Sequence, residues 1–340
     1  MTGSAYDRGL QHGKLLRNRI LAYWEKGVQG KDFSLAVPYE QAMLEYTDKF
    51  FPDLVQEVRG IADGAGLPFE QSWRMQTANA TGPILAWIDR AQCTNFAFTR
   101  SDRGPLLAKT TDGDIDGGMY VCELLTPEQG YRVINVGFAG RAWSEVGLNE
   151  AGLAIGSSSC PTIAGQDGYG LPQHSAIRPL LLQCGTVAEA LDMLAETIWA
   201  GKGLNMCLVD RQGDAAVVEK CWNRMGIRRA EADCVFHTNH FETPEMAQEV
   251  GPPGRPMGTS RERMDNLRRQ LLAPGSERTF AALRALLSDH TQPGAICRHS
   301  GVDGGHSRYG YILAPAEGRM WITDGYPCSS VFLPYQFSDL

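Results

Sequence analysis

Three polar side chains of this sequence have types and spacings that suit nucleophilic chemistry. Cys93 stands in AQCTN, where a helical texture ends and short strand-like runs begin. Such a junction can expose a side chain to substrate. Lys109 and Asp112 lie on the next strand, after the turn SDRG, so a hairpin of residues 93–99 and 105–112 would bring Asp112 back to Cys93. A cation beside a thiol lowers the pKa of that thiol and raises its thiolate fraction.

A second polar segment, HTNH, follows the apolar strand-like run DCVF. Its Asn239 offers a side-chain amide donor of the kind that stabilises an oxyanion. His237 or His240, or the distant His174, could instead serve Cys93 as a general base in a conventional Cys/His hydrolase. The sequence lacks the CGSCW-like signature of the papain type, and it contains neither a P-loop nor a Rossmann fingerprint.

One motif matches a calcium loop. Asp112, Asp114, Asp116, Gly117 and Glu123 stand at the spacing of the EF-hand consensus. An EF-hand needs a helix on each side of this loop. The flanking runs PLLAKTT and MYVCELL are typical of strands, which argues against an EF-hand and leaves calcium binding open.

Nine cysteines are scattered along the chain without a CxxC pair. This excludes a zinc ribbon and argues against a disulfide scaffold. His237 with His240, and His299 with His306, are weak zinc candidates because no carboxylate or thiol stands at conventional spacing. We therefore expect no metal and no cofactor.

Composition and charge exclude several classes of function. The 340 residues are 43% hydrophobic and 21% charged, which suits a large buried core. The net charge is −7 without a cluster of Lys and Arg, which argues against a nucleic-acid partner. No apolar run approaches the ~18 residues of a membrane span, and the N-terminus has no apolar signal region. We expect a cytoplasmic protein with no membrane contact.

The elements that must position these side chains change in character near residue 92. Before it, apolar residues recur at helical spacing, as in Leu16, Ile20, Trp24 and Val28. After it, short runs bounded by turn residues are typical of antiparallel strands. Two pairs of predicted helices interrupt these strands, at residues 174–184, 187–199, 260–272 and 280–287, and the last predicted strand is SSVFLP, residues 329–334. Grouped strands and grouped helices predict an α+β fold with packed sheets and outer helices.

The sequence also resembles the acyl-coenzyme A:6-aminopenicillanate acyltransferase family, the C45-type N-terminal-nucleophile (Ntn) hydrolases. The resemblance covers almost the whole chain, and its specificity lies in the order of the matching segments. These segments are GSAYDRGLQHGKLLRNRI, VRGIADGAGL, QCTNFAF, GLNEAGLAI, QHSAIRPLL, NMCLVDRQGDAAVVE, HTNHF, the Ser-x-x-Arg of SRERM, and DGYPC. The resemblance implies a four-layer αββα sandwich, in which two packed antiparallel sheets lie between outer helices as one globular unit.

The resemblance further implies self-cleavage between Gln92 and Cys93. The products would be a helical pro-segment, residues 1–92, and a catalytic fragment, residues 93–340, which are expected to stay associated. The freed α-amine of Cys93 would have a pKa of ~7.7–8.0 and accept the thiol proton, so no histidine is needed. The thiolate would then attack an amide carbonyl and form a thioester, which reacts with water or with an acyl acceptor.

The resemblance assigns roles residue by residue. It implies that Asp112 holds the α-ammonium or orients the substrate amine, and that Asn239 donates to the oxyanion. Lys109 stands where related amidases carry arginine, and Arg308 is the expected late arginine of the family. The candidates for binding a small N-acyl or peptide-like amide are Trp143, Ser159 and His237, with Trp87 and Phe241 as further possible wall residues.

Two departures from the family pattern keep alternatives open. The family has glycine before the cysteine, which relieves backbone strain during an N-to-S acyl shift, whereas this chain has Gln92. Lys109 offers a point charge in place of the bidentate fork of arginine. The alternatives are an uncleaved family member that binds a small molecule without catalysis, and a conventional Cys/His hydrolase.

Overall fold

The computed structural model describes residues 1–81, 92–113, 119–162, 169–249, 259–299 and 305–339. Within these ranges the helices are α1 Ala5–Tyr23, α2 Val37–Phe50, α3 Pro52–Ala65, α4 Phe69–Thr81, α5 Ile177–Gln183, α6 Val187–Glu196, α7 Pro244–Ala247, α8 Ser260–Leu271 and α9 Phe280–Leu287. The strands are β1 Thr2–Gly3, β2 Gln92–Phe98, β3 Leu106–Asp112, β4 Tyr120–Pro127, β5 Val133–Phe138, β6 Arg141–Asn149, β7 Leu153–Cys160, β8 Leu171–Pro172, β9 Trp199–Ala200, β10 Gly203–Asp210, β11 Ala215–Cys221, β12 Arg224–Arg229, β13 Cys234–His237, β14 Ser307–Ala314, β15 Arg319–Ile322 and β16 Leu333–Gln336.

Most of these strands belong to two sheets. One sheet has the order β1, β4, β5, β6, β7, β10, β11, β12, and the other has the order β13, β2, β3, β14, β15, β16. Almost all neighbouring strands are antiparallel, as predicted, and the short β1 is an exception because it pairs in parallel with β4. The second sheet carries β2 and β3 side by side in its interior.

Side chains alternate along the strands and so build three apolar layers. On β2, Phe96 and Phe98 pack with residues of α8 and α9, whereas Ala97 faces the other sheet. On β10, Met206 lies in the cluster shared with the N-terminal helices, and Cys207 lies between the sheets. Helices therefore cover the outer face of each sheet, which confirms the predicted four-layer α+β sandwich.

The local signals of the sequence are confirmed at most element ends. For example, α3 begins at Pro52, which suits the first turn of a helix, and ends before Gly66, whose φ of +73° is left-handed. Across the described ranges, every helix is too short or too polar to span a bilayer.

Two predicted elements were wrong in part. The helix predicted over residues 187–199 ends at Glu196, and Trp199 joins a strand. The strand predicted over residues 329–334 begins only at Leu333, because the backbone N–H groups of Ser329 and Ser330 both donate to Tyr326 O in a turn. Local hydrogen bonds of this turn replace those of a strand.

Helices α1 and α3 press their backbones together through four glycines. A Cβ atom added at Gly9 would lie 2.0 Å from Glu57 O, and one at Gly60 would lie 2.1 Å from Tyr6 O. Gly13 and Gly64 make similar approaches one turn further along each helix. Only glycine allows this contact, which fixes the two helices as one layer over the eight-stranded sheet.

Buried ion pairs attach this helical layer to the sheet. Arg178 of α5 lies 3.4 Å from Glu57 of α3 and 2.7 Å from Glu123 of β4. His12 of α1 lies 2.8 Å from Glu123, and its other ring nitrogen accepts from the N–H of Gly140. Burial alone would raise the pKa of Glu123, but Arg178 and His12 together lower it to about 2. These charges connect helices before residue 82 to strands after residue 92.

We predict that Gly60→Ala lowers the free energy of unfolding by about 1–3 kcal/mol, because the new methyl group would overlap the carbonyl of Tyr6 and force the helices apart. The matched control is Gly27→Ala, since a Cβ there meets nothing closer than the Tyr23 ring at 3.5 Å. Urea denaturation measures both variants. Equal midpoints for the two would contradict the close-packing interpretation.

Candidate active site

Cys93 lies at the start of β2, in the interior of the six-stranded sheet. The antiparallel register pairs Cys93 with Thr111 and Gln92 with Asp112. The predicted hairpin is confirmed, and it returns Asp112 to the neighbourhood of Cys93. The Cys93 side chain is largely enclosed, with 6% of the residue exposed.

The backbone nitrogen of Cys93 is held by Asn239. Strand β13 pairs with β2, and Asn239 follows β13, so the pairing carries its side chain to Cys93. The Cys93 N–H donates to Asn239 Oδ1 at 3.0 Å, and Arg263 Nη2 donates to the same oxygen at 2.9 Å. Asn239 Nδ2 donates to Ser159 O at 2.9 Å. These partners fix the amide with its oxygen towards the Cys93 nitrogen, which differs from the expected oxyanion donor.

Arg263 of α8 surrounds the same peptide. It is fully buried, and its Nη1 donates to Cys93 O at 2.6 Å and to Thr94 Oγ1 at 2.7 Å. The expected late arginine, Arg308, lies exposed and donates to Gly113 O at 3.1 Å. The structure therefore brings Arg263, and not Arg308, to Cys93. The signal was present in the Ser-x-x-Arg of SRERM, whose Ser260 accepts from the backbone N–H of Asn239 at 2.9 Å.

Lys109 of β3 forms a buried ion pair with a residue that the sequence analysis missed. Its Nζ lies 2.6 Å from Glu145 Oε1 and 2.9 Å from Thr111 Oγ1, which itself donates to Glu145 at 2.5 Å. Between Val136 and Phe138, β6 advances by more residues than its partner β5. Such an irregularity re-aims side chains, and here it accompanies a Glu145 that points from one sheet to the other.

Burial and two neighbouring carboxylates favour the protonated form of the Cys93 thiol in the intact chain. Burial raises the pKa of the thiol to about 11, and Glu145 and Asp112 contribute in the same direction. Lys109 opposes them, because it lies within hydrogen-bonding reach of the thiol. Burial alone would lower the pKa of Lys109, but Cys93 and Glu145 raise it. The site thus holds a cation ready beside a sulfur that is not yet a thiolate.

Two guanidinium groups contact the residue before Cys93. The Oε1 atom of Gln92 accepts from Arg263 Nη2 and from Arg298 Nη1, each at 3.1 Å. Arg298 also lies 3.5 Å from Asp112 Oδ2, while Ser307 Oγ donates to Asp112 Oδ1 at 2.7 Å. Both sides of the Gln92–Cys93 bond are therefore held by side chains from other elements.

The histidines named as possible bases have other partners. His237 is buried beside Ser158, 2.8 Å from its Oγ, and burial lowers the pKa of His237 to about 3. His240 lies 2.8 Å from Ser260 Oγ. His174 lies 3.4 Å from Ser159 Oγ. Among the described hydrogen bonds none joins Cys93 to a histidine, so the geometry gives no support to a Cys/His pair.

The remaining substrate-binding candidates are partly accounted for by packing. Trp143 lies in the apolar core, with its ring 4.6 Å from that of His174. Ser159 is half-buried and offers its carbonyl to Asn239. Phe241 is buried in a small cluster, and Trp87 lies outside the described residues. Of these, Ser159 is connected to Cys93 through Asn239.

The first and last carboxylates of the calcium-loop motif have different partners. Asp112 faces Ser307 and Arg298, whereas Glu123 faces His12 and Arg178. Strands β3 and β4 flank the segment, as predicted, in place of the helices of an EF-hand. Asp114, Asp116 and Gly117 lie outside the described residues. Since cations and a hydroxyl already bind both end carboxylates, the described part of this segment offers no calcium cage.

A groove of about 540 Å³ lies at a distance from this chemistry in the fold. Its lining includes Arg8, Phe50, Glu57, Gln129 and Gln183, and none of the catalytic candidates. The groove adjoins the ion pairs of the helical layer, so we do not assign it to the site around Cys93.

Comparison with known proteins identifies the family of this chain. The family model described as acyl-coenzyme A:6-aminopenicillanic acid acyl-transferase matches residues 99–327. No curated protein matches the chain in sequence. A mutant of the conjugated bile acid hydrolase from Clostridium perfringens is 13% identical, with a TM-score of 0.50 over 73% of this chain and 93% of that one.

Two other solved structures are similar at lower scores. Penicillin V acylase from Agrobacterium tumefaciens is 16% identical, with a TM-score of 0.48 over 73% of this chain and 87% of that one. The Caenorhabditis elegans ortholog of N-acylethanolamine-hydrolyzing acid amidase is 14% identical, with a TM-score of 0.48 over 72% of this chain and 100% of that one. The family model spans well over half of the chain, and the chain therefore belongs to the acyl-coenzyme A:6-aminopenicillanic acid acyl-transferase family.

Proposed function

We propose that the chain is a self-processing cysteine amidohydrolase or acyltransferase, in which cleavage between Gln92 and Cys93 creates the nucleophile. One observation carries the proposal. The backbone N–H of Cys93 donates a hydrogen bond to Asn239, and the Cys93 thiol lies beside Lys109. Both reacting groups of an N-terminal cysteine thus have partners before the terminus exists.

Processing would begin with the Cys93 thiol as nucleophile. The sulfur adds to the carbonyl carbon of Gln92, the C–N bond to Cys93 breaks, and a thioester forms while the nitrogen gains a proton. Water then hydrolyses the thioester, which leaves a Gln92 carboxylate and a free Cys93. Arg263 and Arg298 hold the Gln92 side chain and would fix the position of this bond for attack by the sulfur.

Turnover would use the new α-amine as base. The amine takes the thiol proton, directly or through a water molecule, and the thiolate attacks the substrate carbonyl to form a thioester. The protonated amine then supplies a proton to the leaving nitrogen. Asn239 Oδ1, which already accepts from the Cys93 nitrogen, would hold this amine. Water as acceptor gives hydrolysis, and an amine or thiol gives acyl transfer.

Lys109 would stabilise the thiolate. Its ammonium group lies beside the sulfur, and hydrogen bonds to Glu145 and Thr111 fix its position. A fixed charge in a dry site stabilises developing negative charge more strongly than water does. Asp112, bound to Ser307 and near Arg298, would complete the polar surroundings and orient the substrate amine.

The two products of cleavage, residues 1–92 and 93–340, would remain one complex. Gln76 in α4 donates to Gly140 O and accepts from Ala142 N–H, both at 2.8 Å. The buried pair of Glu57 and Arg178 also crosses the boundary. Separating the fragments would leave these polar and charged groups without partners, which costs free energy when the groups are buried.

The substrate class we propose is a small N-acyl or peptide-like amide. The family is named for transfer of an acyl group, and the Clostridium perfringens protein that shares the fold is named as a hydrolase of conjugated bile acid. Ser159, linked to Cys93 through Asn239, is the candidate closest to the reacting atoms by hydrogen bonding. A screen of N-acyl amino acids, penicillins and dipeptides by mass spectrometry would identify the compound.

One observation favours an alternative, an uncleaved member that binds a small molecule. Gln92 continues β2 as its first residue, and two arginines hold its side chain in the intact chain. These contacts stabilise the intact strand around the Gln92–Cys93 bond. The same protein preparation distinguishes the two proposals, because only the first requires two fragments.

We predict that the wild-type chain separates on a denaturing gel into fragments of 92 and 248 residues, and that Cys93→Ala stays at 340 residues. Cys207→Ala is the matched control, because Cys207 is also a buried strand cysteine. Intact mass identifies the cleavage point. A wild-type chain that remains whole and shows no thiol-dependent amidase activity would contradict the proposal.

We predict that Arg263→Lys slows self-cleavage by roughly 10- to 100-fold, because lysine cannot reproduce the fork that spans Cys93 O, Thr94 and Asn239. Arg308→Lys is the control and should cleave at the wild-type rate. Circular dichroism checks that both variants fold. A greater loss of cleavage in the Arg308 variant would instead restore Arg308 as the functional arginine.

We predict that Lys109→Met lowers amide turnover by roughly 10²-fold or more, since it removes the cation beside the thiolate. The Cys93 thiol, whose pKa burial raises to about 11, would then ionise at still higher pH. Iodoacetamide labelling of freshly translated, uncleaved chain against pH measures this shift.

Lys220→Met is the matched control for that experiment. Lys220 is also buried, and among the described residues its Nζ has no hydrogen-bond partner. Burial lowers the pKa of Lys220 to about 8, so replacement by an apolar side chain of similar shape should leave turnover and stability unharmed. An equal loss in both variants would mean that Lys109 acts through the fold alone.

A further inference from the structure

Two histidines and two cysteines converge on one point beside β14, away from the ion pairs of the helical layer. The ligand atoms of His290, Cys297, His299 and Cys328 all lie within 4.8 Å of one another. His299 Nε2 lies 3.2 Å from His290 Nε2, 3.0 Å from Cys328 Sγ and 3.6 Å from Cys297 Sγ. Four donor atoms from three separate stretches of chain therefore surround a space of atomic size.

The separations measured from His299 Nε2 are close to those of a tetrahedral zinc site. With zinc bonds of roughly 2.0–2.1 Å to nitrogen and 2.3 Å to sulfur, neighbouring ligand atoms stand about 3.3–3.8 Å apart. The three distances from His299 Nε2 lie within or just below this range. Since all four ligand atoms lie within 4.8 Å of one another, small side-chain movements would bring them to bonding distance of one ion.

Hydrogen bonding does not explain the convergence. One imidazole nitrogen either donates a single proton or offers a single lone pair, so His299 Nε2 can satisfy one of its three neighbours. A divalent cation at the centre would bind all four atoms at once. Two thiolates and two imidazoles are the donor set that zinc prefers.

We propose that His290, Cys297, His299 and Cys328 bind one zinc ion in a closed structural site. Four protein ligands leave no open position, so the ion would serve the fold and not the amide chemistry. On binding, each of the two thiols loses its proton to solvent, and each imidazole binds in its neutral form. The proposal stands whether or not Cys93 is the nucleophile.

The surrounding chain holds the ligands in place before any metal arrives. Asp289 O accepts from the backbone N–H groups of Ile296 and Cys297, which closes the loop between His290 and Cys297. Asn266 of α8 donates to Gly294 O in this loop at 2.9 Å. A site that is ordered in advance loses less entropy when it binds its ion.

A second set of contacts orients His299. The Tyr326 ring stacks on the His299 ring, with centroids 4.0 Å apart and planes at 9°. The Tyr326 hydroxyl donates to His299 O at 3.0 Å. Tyr326 lies two residues before Cys328, so the same turn supplies both a ligand and a support for another ligand.

The site would position an arginine at the cleavage bond. Arg298 stands between Cys297 and His299, and its guanidinium reaches Gln92 Oε1 and Asp112. Fixing the residues on both sides of Arg298 fixes its backbone. The closed site would thereby hold the Arg298 guanidinium beside Gln92 and Asp112 in the intact chain.

The test is the zinc content of the reduced, full-length wild-type chain. Zn²⁺ is added, the excess is removed, and the bound metal is measured by elemental mass spectrometry. We expect about one zinc ion per chain. Cys297→Ser and His299→Gln should each reduce this content strongly. Cys122→Ser is the matched control, because Cys122 is a half-buried cysteine outside the cluster and should retain the ion.

A second measurement guards against variants that fail to fold. Wild-type chain stripped with a chelator and titrated with Co²⁺ should develop the absorption of a tetrahedral site with two thiolates. Reduced wild-type chain that takes up neither Zn²⁺ nor Co²⁺ would overturn the proposal. So would a disulfide between Cys297 and Cys328 that mass spectrometry finds in freshly purified, metal-supplied protein. Metal uptake is independent of cleavage, so either proposal can fail alone.

Discussion

The arrangement around Cys93 depends on the buried guanidinium of Arg263. This guanidinium donates hydrogen bonds to the carbonyl of Cys93, the hydroxyl of Thr94, and the side-chain oxygens of Gln92 and Asn239. Burying a guanidinium group is costly unless its N–H donors are paired. Separating any of these four acceptors from Arg263 would therefore destabilise the fold. Strand β2, the end of β13 and helix α8 are thereby fixed around the bond between Gln92 and Cys93.

In the intact chain, the Cys93 thiol lacks the base that the proposed mechanism requires. The nitrogen of Cys93 is an amide here, so it donates to Asn239 and cannot accept a proton. Burial raises the pKa of the thiol, and the charge of Lys109 is shared with Glu145. Under the proposed mechanism, a single change, from amide to amine, supplies the missing base without moving the other groups. Latency and reactivity then depend on one bond.

Local sequence patterns were sufficient for the parts of the site that neighbouring strands define. The turn SDRG between two short apolar runs predicted the hairpin, and its register necessarily placed Asp112 opposite Gln92. Helix ends were predictable for the same reason, because Pro52 and Gly66 act on their own backbone. Such features depend on a few adjacent residues.

Contacts between distant elements were not predictable in this way. Glu145 reaches Lys109 from the other sheet through an irregular stretch of β6, which no periodic pattern reveals. Arg263 was visible as part of a motif, but only the packing of α8 against β2 shows that it, and not Arg308, reaches Cys93. The zinc ligands are separated by six residues, one residue and then a long stretch that includes β14 and β15, so their spacing fits no short zinc motif.

Arg263, Arg298 and Gln92 show how local and distant contacts meet at the site. Arg263 and Arg298 come from different elements, yet both donate to the single oxygen Gln92 Oε1. Two cations that share one neutral acceptor repel each other, and this repulsion is tolerated because each is anchored elsewhere, Arg263 on Cys93 O and Arg298 near Asp112. Under the proposed mechanism, cleavage would create a carboxylate on Gln92 next to these two guanidinium groups. Its negative charge would offset their repulsion, so the arginines that hold the intact bond would also hold the new end of the helical fragment beside Cys93.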